Sequence, residues 1–504
     1  MIKELFRKHS FKVNALFSFL YQTLKVLIPL ITTPYIARVL GSDNVGEYSY
    51  TYSIFYFFLI VATFGFTDYG NLVVSRVRGD KHKTSIYFWS IMSSKGLLTL
   101  LSAIAYLPTI WFISAGSSNA LFLYLSIGFA LIGTMLDPSF ILMGEEEYVS
   151  ISIRDMIMRL LTAGAIFAFV RNDSFSNLVI YASITSVGTL LSALIVIPPS
   201  KKYIQKVNIK ELNLKETFWQ SLIFFIPTLF SSVYMNLNKT LIGIYSPDSV
   251  ANYQNAIYDN AVKIVTIVTS ALGSINSLIT SRIANDFYKK GISAIKKNIE
   301  KSIHFILLLA LPCFFGLILI AKNFVPVFFG SGYEGTVNVI YALSPNIISI
   351  PLAWVILSAY YIPTGKRGLA NWINVFVAIV DLISCVALIP IYNAVGAAIS
   401  YSITEFLQLI LFIHYSKKDI NWKSIFSSYA IKPFDISLFM GCVILAFNNF
   451  SDFNNLSNLL ISITLGVFLY FLLILITKDE LMEQYLLNPI KSRINKLKAR
   501  WSSK

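Results

Sequence analysis

Leu72-Val73-Val74-Ser75-Arg76-Val77-Arg78-Gly79-Asp80 returns as Leu278-Ile279-Thr280-Ser281-Arg282-Ile283-Ala284-Asn285-Asp286, with Leu, Ser, Arg and Asp in register at an offset of 206. Outward from it, Val45-Gly46-Glu47-Tyr48 parallels Val250-Ala251-Asn252-Tyr253 at an offset of 205. Ile28-Pro29-Leu30 parallels Ile226-Pro227-Thr228 at 198, and Leu107-Pro108 parallels Leu311-Pro312 at 204. A Ser-Arg pair snorkelling at a helix end explains one copy. It does not explain four matches in order at nearly one offset, which is the mark of a duplicated chain.

What is duplicated follows from composition. The 504 residues are 56% hydrophobic and 13% charged, with a mean hydropathy of +0.66. Soluble domains carry about 25% charge, so this is a polytopic membrane protein. Cys313, Cys385 and Cys442 stand singly in apolar runs, which excludes a disulfide scaffold and a cysteine-based metal site. A hydrocarbon core of about 30 Å needs about 20 apolar residues. Such runs cover 13–36, 48–66, 86–111, 120–143, 152–170, 176–198, 217–243, 251–281, 303–321, 337–361, 369–389, 394–415, 434–448 and 457–477. The thirteenth is short and the tenth ends in Tyr-Tyr-Ile-Pro, so twelve or thirteen spans are alternatives to fourteen. The first run holds Lys25 and lacks a small-residue cleavage site, so it reads as a span and not as a signal peptide.

Charge tests this map. With the N-terminus inside, inner segments hold 33 of the 41 Lys and Arg, and outer loops only Arg38, Arg171 and Lys322. That asymmetry obeys the positive-inside rule. It makes the net charge of +15 a skirt facing anionic headgroups, with no call for nucleic acid. The repeat maps spans 1–6 onto 7–12. Six being even, both copies start inside, so they are parallel repeats about an axis along the membrane normal. The expected fold is all-α, with about 14 transmembrane helices. An N-lobe (1–200), a cytoplasmic basic linker (201–216) and a C-lobe (217–415) are followed by a cytoplasmic loop (416–433), two extra helices (434–477) and a basic cytoplasmic tail (478–504). Loops this short leave no room for an outer catalytic domain. There is no GxxxxGK phosphate cradle, no D-x-D, and His9, His82, His304 and His414 are scattered. An enzyme is not expected.

Charge inside the bilayer costs roughly 2.5–3.5 kcal/mol per residue on insertion scales, so each case asks for a reason. Lys25, Lys95, Arg159, Lys239 and Lys263 are embedded, as are Asp137, Asp155, Asp259, Asp381 and Glu405. Asn14, Ser18, Tyr21, Lys25 and Thr32 share one helical face. Ser221, Thr228, Ser232 and Lys239 share another, and Asn252, Asn255, Asp259, Lys263, Thr266 and Ser270 a third. Asp259–Lys263 and Asp155–Arg159 are spaced to pair at i, i+4. Lys25, Lys95 and Lys239 have no acid that close on their own helices. Cations at several depths suit an anionic headgroup crossing the membrane; ion pairing between helices, with Asp137, Asp381 or Glu405, is the plainer reading. A carboxylate in low dielectric takes up a proton more readily, so Asp259 and Glu405 are candidates for ion coupling. Pro29, Pro34, Pro227 and Pro312 are candidate hinges, or static kinks.

Pro29-Leu30-Ile31-Thr32-Thr33-Pro34-Tyr35-Ile36-Ala37-Arg38-Val39-Leu40-Gly41, running into Val45-Gly46-Glu47-Tyr48-Ser49-Tyr50, resembles the first-span signature of Wzx-type polysaccharide flippases. Asp68-Tyr69-Gly70 before Ser75-Arg76, and Pro390 before Gly396-Ala397-Ala398-Ile399-Ser400 and Glu405, resemble later family patterns. Phe66-Thr67-Asp68 departs from them by placing an acid where neutral residues are usual. The family lies in the multidrug/oligosaccharidyl-lipid/polysaccharide exporter superfamily, whose members pair two six-helix lobes around a cleft.

The resemblance implies a flippase. It would move an undecaprenyl-pyrophosphate-linked oligosaccharide from inner to outer leaflet of a bacterial plasma membrane by alternating access, for capsule, O-antigen or exopolysaccharide. It would need no cofactor beyond an H+ or Na+ gradient. Expected partners are the lipid-linked oligosaccharide, membrane lipids, a polysaccharide polymerase and a chain-length regulator. Alternatives are a lipid II flippase, a multidrug or cation antiporter of the same superfamily, and a non-transporting membrane scaffold. The antiporter would want an acidic cleft, and polar stripes are hard to justify in a scaffold.

Overall fold

The computed structural model describes residues 11–290 and 292–477, with side chains except at 11–22, 227, 230–235, 274–295 and 297–298. Regular structure among the described residues is helical throughout. In chain order the helices are α1 (Phe11–Thr63), α2 (Phe66–Arg76), α3 (Lys81–Ile113), α4 (Ser118–Gly128), α5 (Ala130–Leu136), α6 (Ser139–Gly144), α7 (Tyr148–Phe169), α8 (Phe175–Ser200), α9 (Leu214–Tyr245) and α10 (Asp248–Lys290). There follow α11 (Ile292–Phe329), α12 (Thr336–Leu343), α13 (Asn346–Ile356), a π-turn (Leu357–Tyr361), α14 (Arg367–Ser416), α15 (Trp422–Tyr429), α16 (Ile431–Phe450) and α17 (Asn455–Ile476). Nine helical segments among the described residues are long and apolar enough to cross a membrane.

Two of these segments are pairs of helices joined by one residue. Gly41 (φ 70, ψ 170) breaks α1, and Asn393 (φ 48, ψ −127) breaks α14. Positive φ is open to Gly at no steric cost. Asn393, with ψ far from the left-handed helical well that Asn tolerates, is strained there. The chain therefore turns on a single residue where the apolar pattern suggests loops at 37–47 and 390–393. The break in α1 lies at Gly41, and the backbone stays helical through Pro29 and Pro34. Pro312 likewise sits inside α11, and the Pro227 side chain lies outside the described ones.

The stretch after the second span, expected as a loop over 67–85, is mostly helix. Phe66, Tyr69, Val73 and Val74 recur at helical spacing on α2 and are buried against Phe88, Ile91 and Phe140, so packing holds a helix there. Asp80 then caps α3, accepting from the Lys83 amide. That bond to its charged form holds the Asp80 carboxyl below its usual range.

Contacts divide the chain into two units: 1–260 with 329–333 and 374–400, and the remainder. In the first, α1 packs on α3, α7 and α9, and α8 on α5 and α7. A seam of small residues joins α1 and α2 to α9 and α10. A Cβ on Gly46 would lie 1.7 Å from the Asn252 carbonyl oxygen, one on Gly243 2.2 Å from the Tyr50 ring, and one on Gly65 2.9 Å from the Ser221 oxygen. Between them the Ser53 and Thr240 hydroxyls meet at 2.8 Å. Close backbone approach through small residues is how helices associate where the hydrophobic effect offers nothing. In the second unit, α17 lies along α16, and Tyr470 donates to the Leu308 carbonyl of α11.

Candidate functional site

The polar interior of the first unit begins at a broken helix. Pro138 disfavours helical backbone at the residue before it, and Asp137 is extended (φ −77, ψ 110) at the end of α5. A break at membrane depth frees backbone groups that hydrocarbon cannot satisfy. Lys95, buried on α3, donates from Nζ to the Asp137 carbonyl at 2.9 Å. The Asp137 carboxylate folds back to accept from the Ser139 amide at 3.0 Å and from its hydroxyl. Arg154, buried on α7, donates to Ser139 Oγ at 2.7 Å and lies 3.5 Å from the Asp137 carboxylate and 2.7 Å from Asp155.

A cavity of about 500 Å³ opens beside this node, lined by Lys95, Asp137, Asp155 and Arg159 and by residues of α1, α2, α5, α7 and α8. Seven of the lining residues are threonines: Thr32, Thr63, Thr67, Thr134, Thr162, Thr185 and Thr189. Five of these hydroxyls (Thr32, Thr63, Thr134, Thr185 and Thr189) donate to a carbonyl of their own helix and keep acceptor capacity toward the cavity. Counting Arg154, three cations stand against two carboxylates. The lining itself balances Lys95 and Arg159 against Asp137 and Asp155, with Arg154 beside it. The cavity thus offers charge of both signs among many hydroxyls, which suits a hydroxylated, charged solute better than an apolar one.

A second cluster joins α9 and α10, where Lys239 pairs with Asp259 and both are largely buried. Lys239 has no acid on its own helix within reach; it finds one on the next. Close by, Asn238 donates to the Tyr258 hydroxyl at 3.0 Å and Cys385 Sγ lies 3.0 Å from Asn238 Oδ1. Ser400 donates to the buried Asp381 carboxylate at 3.0 Å. Tyr48, Tyr52 and Tyr56 recur every fourth residue along α1 with ring centroids 5.9 and 6.1 Å apart, and Tyr181 tilts against Tyr48 at 4.7 Å. All four keep accessible surface, so they form a wall and not a packed core.

Of the sequence candidates, the cavity brings together Lys95, Arg159 and Pro29. Lys25 is exposed on α1 and is not in its lining; Asn14, Ser18, Tyr21 and Ser232 fall outside the described side chains. Lys263 is half-buried and Glu405 buried, both in the second unit. The lining is of mixed charge, because Asp137 and Asp155 share it. Arg154 and the tyrosine wall escape a search for embedded charge: Arg154 reads as the end of an inner loop, and the tyrosines read as interfacial aromatics. Their signals were the Arg-Asp dipeptide and the four-residue spacing.

Residues 11–281 match the family described as Polysaccharide biosynthesis protein, more than half of the chain. The chain belongs to that family. Among curated relatives of this chain is the "Putative O-antigen transporter" of Escherichia coli (strain K12), 24% identical over 420 residues, 82% of this chain and 98% of that one. Another is the "Probable low-salt glycan biosynthesis flippase Agl15" of Haloferax volcanii, 24% identical over 69% of this chain and 71% of that one. In fold it is similar to the lipid II flippase MurJ in an inward closed conformation, with a TM-score of 0.72 over 93% of this chain and 99% of that one, at 16% identity. It is also similar to an inward-facing MATE multidrug transporter, with a TM-score of 0.59 over 79% and 94%, at 13% identity. The chain is therefore a multi-pass membrane protein, helical among the described residues, with the fold of that exporter superfamily, and its relatives are named as transporters and flippases.

Proposed function

We propose that this protein flips an undecaprenyl-pyrophosphate-linked oligosaccharide from the inner to the outer leaflet of a bacterial plasma membrane, with both termini cytoplasmic. The observation that carries the reading is the membrane-embedded cavity that combines Lys95 and Arg159 with seven threonines. Positive charge complements a pyrophosphate, and clustered hydroxyls complement sugar. Binding and release on opposite sides would follow alternating access of the two halves. An H+ or Na+ gradient would give direction, with Asp259 and Glu405 as the carboxylates to test. The protein would do no covalent chemistry, and would hand its cargo to a polysaccharide polymerase and its chain-length regulator.

The test is lipid analysis of a strain lacking the protein. Accumulation of one complete oligosaccharide repeat on undecaprenyl pyrophosphate, at the inner face, is expected and would identify the cargo. Unchanged lipid-linked pools with normal surface polymer, in a strain without a second flippase, would overturn the reading.

A further inference from the structure

Beyond the transport path, the second unit carries a basic cavity of about 350 Å³ at the junction of α14 and α15. Lys417 and Lys418 directly follow the last residue of α14; Lys423 lies in the first turn of α15; Lys296 comes from α11, over a hundred residues away in sequence. Packing explains the convergence. The Trp422 indole donates to Ser416 Oγ at 2.9 Å, and Ile425 is buried beside it. The Tyr429 ring stacks at 4.9 Å on His304, two turns along α11 from Lys296. Helix α15 is therefore laid against α11, and the four lysines face one hollow.

Asp419 is the one acid in the lining, and its charge is already engaged. Lys366 donates to its carboxylate at 2.8 Å and Tyr360, presented by the π-turn, donates to it as well. Those bonds hold the Asp419 carboxyl below its usual range and push the Lys366 ammonium above its own. Among the described residues no ion pair involves Lys296, Lys417, Lys418 or Lys423. Four cations around a hollow with its single acid neutralised make an anion site. Its depth says which anion. Lys417 begins where an apolar span ends, at headgroup level, and α16 begins another span eight residues after Lys423. At about 350 Å³ the hollow exceeds what a lone phosphate fills and leaves room for a phosphate with a polar substituent.

We propose that this cavity binds the headgroup phosphate of a net-anionic phospholipid of the inner leaflet. The proposal rests on the topology given above, which places 416–433 on the inner side, and not on what the protein transports. Lysines near an anionic headgroup each add to its binding, so removing three should weaken binding by at least about tenfold.

The experiment uses the full chain in detergent, titrated with phosphatidylglycerol or phosphatidylcholine and read by native mass spectrometry. K296Q/K418Q/K423Q is the variant. Preferential retention of phosphatidylglycerol by the wild type, lost about tenfold in the variant, is expected. Amine acylation gives a second readout: phosphatidylglycerol should protect Lys418 and Lys423 from reagent. Equal binding of both lipids, or equal binding by wild type and variant, would overturn the proposal. So would displacement of the lipid by inorganic phosphate at matched ionic strength, which would make free phosphate the ligand. None of these readouts depends on transport.

Discussion

Lys95 and Lys25 look alike in the sequence, each a cation in an apolar span without a nearby acid, and the structure gives them different work. Lys95 satisfies the Asp137 carbonyl at a helix break. Lys95→Met keeps the stem and loses the donor, leaving a buried carbonyl unpaired. That should cost about 1–3 kcal/mol, seen as a lower melting temperature in detergent together with lost transport. Lys25 is exposed on α1. Lys25 reads from the sequence as a cation on the path, and Lys25→Ala tests that. Lost transport at normal membrane levels would keep it there, while full transport, as its place outside the cavity lining leads one to expect, would remove it. The Lys239–Asp259 pair behaves as a buried ion pair. Breaking it by Asp259→Asn strands a cation at a cost of about 3–5 kcal/mol, whereas removing both charges should cost less. A double-mutant cycle in thermal stability reads the difference.

At the scale of elements, the seam between α1 and α9–α10 is the contact most sensitive to a single methyl. Gly46→Ala places a carbon 1.7 Å from the Asn252 carbonyl, where only a backbone shift can relieve it. If the seam opens during transport, this variant should favour the open form. A cysteine introduced at Ser53 would then react faster with a membrane-impermeant maleimide in the Gly46→Ala background. An unchanged rate would show that the seam tolerates the methyl. The tyrosines beside the seam carry a related expectation: Tyr52→Ala should slow transport and Tyr52→Phe should not, if the ring surface is what matters. The Lys366–Asp419 contact makes its own pH statement. Asp419 is depressed, so its contribution is present above the unfolded carboxyl value and lost as pH falls through the lower folded one.

For the whole molecule, coupling to a proton gradient would make transport depend on pH through a buried carboxylate. Glu405→Gln should flatten that dependence in proteoliposomes; a variant retaining it in full would exclude Glu405 as the carrier. Membrane class was legible from the start, because spans of about 20 apolar residues follow from lipid physics. The family was legible only through the resemblance of the Pro29–Gly41 stretch and later motifs to known signatures. The positions of the single-residue turns were not. Gly41 and Asn393 lie in stretches that continue as helix on both sides, so hydropathy marks a gap there and cannot distinguish a loop from one left-handed residue. Helix α2 was missed because its 11 residues are too few for a span and its apolar face is hidden by polar neighbours.

The sequence by itself determined that this protein lives in a bilayer and that its apolar spans carry charge. Those properties are local: they depend on residue type, spacing and the cost of charge in hydrocarbon. Of those charges Lys95, Asp259, Asp381 and Glu405 are buried, Lys25 is exposed, and the buried Arg154 was missed. Only the tertiary structure decided what each charge meets. Asp155 is held by Arg154, Asp259 by Lys239, and Lys95 by a carbonyl 42 residues away. Arg154 is the sequence neighbour of Asp155, but for Lys239 and Lys95 the partner lies 20 and 42 residues away, set by which helices pack side by side and where a proline breaks one.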